Sequence, residues 1–547
     1  ATELDELEII KVDCLAITVL EVISNAIELV KEDIIKVRDK DGIIKIVPES
    51  YAETHEAEVL ETGVSKQELQ DYLYCGMNYN DKQLYQQVNE SQDNVFQFSG
   101  GTASGMIQRA LPQNFDELTC LNALSRPGSS FSFDDFVRNG VGGSKYPDEV
   151  AKFLKDSHGC ILFQEEIMRL VEYLSNGKVS GNYARGLLKK LGKANKKQED
   201  IDAWNELVKI IKSEAQDKLT TREVDELTAD LITLSAYSFN KSHASAYTYV
   251  ACETLYMSRY FKQYFWAASL TYDATKNDAL KDSINSAQKN GFKILPPDVN
   301  ESDAHFTPIS ADTIRFGLNE VKGIGEKPIE GIIENRPYTS VIDCIIKNIE
   351  TEGYTKRITN ALICSGAFDE IIGTKRSRYD KLCTIFYERK KTKKTPELLM
   401  QLWEDCEEDV FDEDTTNEQY MEYEKAYLGG NFFHNIFSAL GDKIQKLYER
   451  GLCLRSLQEV KEKNLPNAMC PVYAKNFLFK KDKNGNDMAF CEISDINGEN
   501  YRIPIFASYY QFCKERWHSD DLYLLSLYAD DDGSIKFGSR RWIRDGE

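Results

Sequence analysis

Ser238-Phe239-Asn240-Lys241-Ser242-His243-Ala244-Ser245-Ala246-Tyr247 is the most specific stretch of this chain. An amide, a fixed cation, a hydroxyl and a titratable ring occupy four successive positions. The local reading is a helix start, with Asn240 or Ser242 satisfying the first free amides. The functional reading is a set of donors and one cation gathered at the head of a helix.

The surrounding 547 residues are too many for one core, so about three to five domains are expected. Hydrophobic residues make up 42%, which excludes a disordered chain. No run of about 18 apolar residues occurs, so no membrane span is expected. The acidic start Ala1-Thr2-Glu3-Leu4-Asp5 lacks the basic and apolar regions of a secretion signal. The 13 cysteines include no Cys-x-x-Cys pair, which argues against a zinc or redox motif and suits a reducing cytoplasm. A net charge of -22 excludes a wholly basic nucleic-acid footprint. It leaves room for a basic channel, because phosphates are met by one Lys or Arg at a time.

Outward from residue 238 the pattern is helical over about 96–300, broken by loops at Arg126-Pro127-Gly128 and Asn139–Gly143. Residues 8–35 read as a short strand and an amphipathic helix carrying Leu15, Val19, Val22, Ile23, Ala26, Leu29 and Val30. Residues 36–95 are mixed and polar. The basic and then acidic blocks over 388–420 read as a solvated linker or loop. From about 468 the chain reads as strands with turns at Lys483-Asn484-Gly485-Asn486, Ile496-Asn497-Gly498-Glu499 and Asp531-Asp532-Gly533. A helix is expected over Tyr509–Trp517. Together these suggest a small five-stranded oligonucleotide-binding (OB) barrel.

The stretch at 238 closely resembles the Phe-Asn-Lys-Ser-His-x-x-x-Tyr motif in the fingers of the alpha subunit of bacterial DNA polymerase III, the C-family replicases. Further segments resemble that family in the same order. They are Asn94–Phe98, Ser125–Gly128, Ile161–Met168, Ile294–Asn300, Ile314–Leu318, Ile363–Asp369 and Glu424–Gly429. The implied fold is multidomain α+β: the end of a palm sheet (1–35), mainly helical fingers (36–305), a helix-hairpin-helix and clamp-binding region (306–450) and an OB-fold β-barrel (465–547).

The resemblance implies site residues. Lys11-Val12-Asp13 matches the family's Lys-x-Asp strand, making Asp13 a catalytic ligand of Mg²⁺ and Lys11 a neighbour of the triphosphate. Phosphoryl transfer of this kind uses two Mg²⁺ about 4 Å apart. The family's Asp-x-Asp pair has no counterpart among these residues, and Asp39-Lys40-Asp41, followed by Gly42, reads as a turn. In the fingers, Ala184–Lys193 resembles Leu-Arg-Arg-Ala-Met-Gly-Lys-Lys. An ungapped match puts Lys189 on the second arginine; a one-residue slip puts Lys189 and Lys190 on both. Lys189, Lys190, Arg185, Asn240, Lys241, Ser242 and His243 are thus the nucleotide-binding candidates. Lys lacks the bidentate fork of Arg.

Val321–Lys327 resembles a duplex-binding helix-hairpin-helix, with Lys322, Gly323, Gly325 and Lys327 at its turn and Arg126 as a further DNA contact. The clamp peptide is either Glu407–Phe411, presenting Val410 and Phe411, or Gln401-Leu402-Trp403. In the barrel, Phe477, Phe479, Phe490 and Tyr501 are candidates to stack on single-stranded template. The implied activity is nucleotidyl transfer from dNTP to a primer 3′ hydroxyl. The implied partners are primer-template DNA, a sliding clamp and a second polypeptide carrying the N-terminal half, in a bacterial or virus-infected cytoplasm. The alternative is an inactive relative that binds primer-template or clamp.

Overall fold

Val22, Ile23, Ala26 and Ile27 fall on one side of helix α1 (Thr18–Leu29), and all four are buried. Their helical spacing makes one apolar stripe, which fixes how α1 docks. The computed structural model describes residues 17–547, apart from 127–129, 141, 192–196, 236–237, 277–278, 391–394, 435–440, 455, 464–467, 482–484, 496–499, 519–520, 531–532 and 545–547. The chain forms two compact units: residues 1–272 with 310–312, and residues 273–309 with 313–547.

In the first unit, strands β1 (Ile34–Asp39), β2 (Ile44–Pro48) and β3 (Ala57–Thr62) make an antiparallel sheet in the order β2-β1-β3. Asp39–Gly42 is the β1–β2 turn. The Asp39 carboxylate accepts the amides of Asp41 and Ile43, each at 2.9 Å, and Gly42 takes φ +81°. Strand β3 is almost wholly exposed, so no apolar alternation marks it, whereas β1 and β2 bury Ile34, Ile35, Val37, Ile46 and Val47.

Three later helices frame the site. They are α2 (Gln164–Leu174), α3 (Gly181–Leu191) and α4 (Lys241–Tyr260). The C-terminal half of α4, including Ala251, Cys252, Leu255, Tyr256 and Met257, is the centre of one core with α1. Helices α2 and α3 bury Leu170, Val171, Leu187 and Leu188 in a second core.

In the second unit, after a helix over Ala279–Lys289, comes a small sheet of β4 (Lys293–Leu295), β5 (Thr307–Ser310) and β6 (Thr313–Arg315), in which β4 runs parallel to β6. Helices α5 (Glu326–Glu334), α6 (Val341–Asn348), α7 (Lys356–Ser365), α8 (Pro396–Glu407) and α9 (Asn417–Tyr427) follow. The linker expected over 388–420 is corrected by α8. Its Leu399, Trp403 and Cys406 are buried in the same core as Ile345 and Leu362. The charge blocks had masked an amphipathic helix whose acidic side faces water.

The barrel comprises β7 (Ala468–Lys481), β8 (Asp487–Ser494), β9 (Asn500–Ile505), helix α10 (Ala507–Arg516), β10 (Leu522–Ala529) and β11 (Ile535–Arg544). The five antiparallel strands are ordered β11-β10-β7-β8-β9. The sheet nearly closes, because β9 and β11 approach each other. The Tyr501 hydroxyl on β9 accepts the Ile535 amide at 3.3 Å and donates to Gly533 O at 3.4 Å. This is the arrangement of an OB fold, with Ala489, Cys491 and Ile493 inward and Met488, Phe490 and Glu492 on the outer face. The expected turn Ile496–Glu499 lies outside the described residues, as do Asp531 and Asp532.

No helix among the described residues is long and apolar enough to cross a membrane. Every described cysteine is a free thiol, and all but Cys75 are buried.

Candidate functional site

Two short chain segments meet where α2 and α4 begin. Phe163 and Phe239 form an isolated parallel bridge. The Gln164 amide donates to Phe239 O, and the Phe239 amide donates to Leu162 O, each at 2.9 Å. Asn240 is the cap of α4, one of the two caps open from sequence. Its Oδ1 accepts the His243 amide at 2.8 Å and the Ser242 hydroxyl at 2.6 Å. Glu165 holds the other side of that cap. It accepts from Asn240 Nδ2 at 3.0 Å and from the Lys241 amide at 2.9 Å.

Glu166 is buried and accepts the amides of Leu162 and Phe163, each at 2.9 Å. Burial pushes its carboxyl up to about 7, against the pull of those hydrogen bonds. Lys241 Nζ lies 3.2 Å from Asp156. Burial alone lowers the Lys241 pKa, but the carboxylates of Asp156, Asp116 and Glu166 together outweigh it and leave the pKa raised. A ladder of rings runs up the first turns of α4. Phe239 meets His243 at 5.4 Å, His243 meets Tyr247 at 4.4 Å, and Tyr247 stacks on Phe96 at 5.4 Å. The Arg126 guanidinium covers Phe239 at 4.7 Å. Pro127 and Gly128 lie outside the described residues.

Helix α3 brings a second cation. Arg185 Nη1 donates to Gln164 Oε1 at 3.1 Å, and Gln164 Nε2 donates to Ser238 O at 3.2 Å. Arg185 is therefore tied to the start of α4. Lys189, one turn further along the same face, is exposed and has no partner among the described residues. Lys190 turns aside to Asp200, 3.0 Å away. The structure thus brings together Arg185, Asn240, Lys241, Ser242, His243 and Arg126, with Lys189 on the Arg185 face. Gln164, Glu165 and Asp156 were missed, although Gln164-Glu165 stands inside a segment that matched the family. The match alone does not tell a hydrogen-bonding residue from a packing one.

In the second unit, Gly323 takes φ +99°, and a Cβ there would sit 3.2 Å from Arg357 Nε. Gly323, Gly325, Lys327, Gly353 and Arg357 line a cleft of about 580 Å³. Lys327 pairs with Glu352. The Lys322 amide donates to Tyr427 O at 2.7 Å, while its side chain is exposed. Gly353 and Arg357 escaped the sequence reading. The signal was a second glycine turn, Glu352-Gly353, just before α7.

The two clamp candidates part company. Trp403 is 5% exposed and lies in the core, so Gln401-Leu402-Trp403 is not a docking peptide. Val410 packs against that core, and Phe411 is 87% exposed. In the barrel, Tyr501 is used in the β9–β11 seam and Phe477 packs on the core. Phe479 is 63% exposed. Phe490 lies on the outer face between Arg502 at 4.7 Å and Lys480 at 6.0 Å.

Lys11 and Asp13 lie outside the described residues. Among those described, no group of three or more His, Cys, Asp or Glu side chains is arranged to hold a metal ion.

Residues 20–215 match the bacterial DNA polymerase III alpha subunit finger domain, and residues 291–379 match a helix-hairpin-helix motif. The chain is 29% identical over 472 residues to a protein named DNA polymerase III subunit alpha from Aquifex aeolicus, covering 84% of this chain and 38% of that protein. It is 30% identical over 284 residues to the protein of the same name from Xylella fastidiosa strain Temecula1, covering 51% and 23%. For the Escherichia coli K12 protein of that name the identity is 30% over 306 residues, covering 53% and 26%. The chain thus spans about a quarter to two fifths of the length of these relatives. Residues 20–215 are thus similar to the finger domain of the bacterial DNA polymerase III alpha subunit, and residues 291–379 to a helix-hairpin-helix motif.

Proposed function

We propose that this chain forms the fingers, duplex- and clamp-binding region and template-binding barrel of a DNA-directed DNA polymerase. The observation that supports it most is the cluster at α2, α3 and α4. There Arg185 and Lys241 stand beside the Asn240–His243 helix start, with Lys189 one turn along α3. In the reaction a primer 3′ hydroxyl attacks the α-phosphate of a dNTP and pyrophosphate leaves. Arg185, Lys189 and Lys241 neutralise the triphosphate, with Lys11 as a further cation. Asn240, Ser242 and His243 line the nascent base pair. In the second unit the amides at Gly323 and Gly325, with Lys322 and Lys327, grip the duplex backbone, and in the first unit Arg126 is a separate DNA contact. Phe490, flanked by Arg502 and Lys480, and Phe479 offer stacking faces to single-stranded template. Phe411, with Val410 behind it, enters a sliding clamp.

In this reading the domains run 1–35, 36–305, 306–450 and 465–547. Asp13 is the Mg²⁺ ligand that the chain contributes. The described residues provide no metal site, so the steps above rest on the chain's own side chains. The Asp-x-Asp pair, thumb and remaining palm of such a polymerase are not among these 547 residues and have to be supplied with them for activity.

Primer extension tests this with the purified chain alone and with a companion carrying the Asp-x-Asp pair. Extension is expected only with the companion and is lost in Asp13→Ala. Extension by the chain alone, or full activity of Asp13→Ala, defeats the reading. A second reading is an inactive module that binds primer-template. Lys189 in place of an arginine supports it, and it predicts a mobility shift of primer-template without extension under any pairing.

A further inference from the structure

Three polar groups of Gln164 bridge the head of α2 to other elements. Its amide meets Phe239 O at 2.9 Å, its Nε2 meets Ser238 O at 3.2 Å, and its Oε1 receives Arg185 Nη1 at 3.1 Å. Next to it, Glu165 receives both Asn240 Nδ2 and the Lys241 amide. The Asn240 amide group is thereby held with its nitrogen toward Glu165 and its oxygen toward His243 N.

Both residues are half-buried, and neither carries the positive charge that a triphosphate requires. What they control is where the positive groups stand. Arg185 is an exposed, long side chain, and an unrestrained arginine would have to be ordered each time an anion bound. Holding it beforehand removes that cost from the binding step. The same holds for the Asn240–His243 turn, whose path Glu165 fixes from outside the helix.

We infer that Gln164 and Glu165 are positioning residues of the triphosphate site: Gln164 aims Arg185 at the head of α4, and Glu165 sets the Asn240-Lys241 turn. The inference rests on the nucleotide-binding reading of the fingers given above.

Two measurements on the full chain test it. The first is hydrogen exchange, which needs no ligand. Gln164→Met and Glu165→Ala are expected to speed exchange of the Phe239 and Lys241 amides by about tenfold while leaving the centre of α4 unchanged. Unchanged exchange at both amides overturns the positioning role.

The second is equilibrium titration with dATP and, in parallel, inorganic tripolyphosphate. Gln164→Met should weaken both by about tenfold, as should Arg185→Ala, each losing one charge-assisted contact. The double variant should be no weaker than Arg185→Ala alone, because Gln164 acts through that arginine. Glu165→Gln, which keeps one acceptor, should recover part of the affinity lost in Glu165→Ala. Additive losses in the double variant overturn the inference. If the wild-type chain takes up neither probe, the nucleotide reading of the fingers falls, while the exchange result still judges the positioning.

Discussion

Lys45 and Asp81 form an ion pair inside the first unit, with 3.0 Å between Lys45 Nζ and Asp81 Oδ1 and the lysine 0% exposed. Asp39 also stands 2.8 Å from the same ammonium, and Lys45 donates to the Tyr260 hydroxyl at 2.8 Å. One buried cation thus ties the β1–β2 hairpin to the C-terminal end of α4, the helix whose other end carries the candidate nucleotide site.

Lys45→Met should destabilise the chain by about 3–5 kcal/mol, because it leaves the buried Asp81 carboxylate without its cation. Urea unfolding compares the two proteins. A loss below about 1 kcal/mol, the range of exposed pairs, would show that water reaches these groups.

Glu166 has a folded pKa of about 7 against an ordinary 4.5. For an acid raised in this way, its stabilising contribution is present below pH 4.5 and is lost as pH rises through about 7. Glu166→Gln, which stays neutral, should therefore gain on wild type between those values, by at most about 1.4 kcal/mol per pH unit. Melting temperatures across that window read the effect. A constant difference would remove burial as the dominant influence on this carboxyl.

Phe411→Ala should leave stability within about 0.5 kcal/mol of wild type, since the ring is exposed. Trp403→Ala should cost about 3–5 kcal/mol by opening the core. If a purified sliding clamp is retained equally well by Phe411→Ala and wild type, Phe411 is not the clamp contact.

Lys189→Ala should lower affinity for dATP by about tenfold with no change in melting, and Lys189→Arg should retain binding. A melting change as large as a core substitution would instead make Lys189 structural.

Tyr501→Phe removes the hydroxyl that joins β9 to Ile535 and Gly533. The expected cost is about 0.5–1.5 kcal/mol, seen as faster exchange of the Ile535 amide. Unaltered exchange would mean the barrel closes without this bridge.

Local pattern carried much of the architecture. The apolar stripe of α1, the cap at Asn240, the turn at Asp39–Gly42 and the strand-helix-strand order of the barrel all depend on neighbours within a few residues, so they can be read from the chain. Strand β3 of the sheet at residues 34–62 could not, because it is exposed and lacks alternation. Helix α8 was hidden behind its own charges. The site divided in the same way. Asn240, Lys241 and His243 stand out as a motif, but Gln164 gives no local sign that it reaches Arg185, which is 21 residues away.

Periodicity, capping chemistry and turn residues were enough to set which segments are helices or strands and which polar residues cluster along the chain, because those preferences act over one or two turns. That Lys190 is paired with Asp200 while Lys189 has no partner among the described residues, and that Trp403 is core while Phe411 is exposed, came only with folding. These outcomes depend on groups distant in sequence and close in space, and no local preference encodes that proximity.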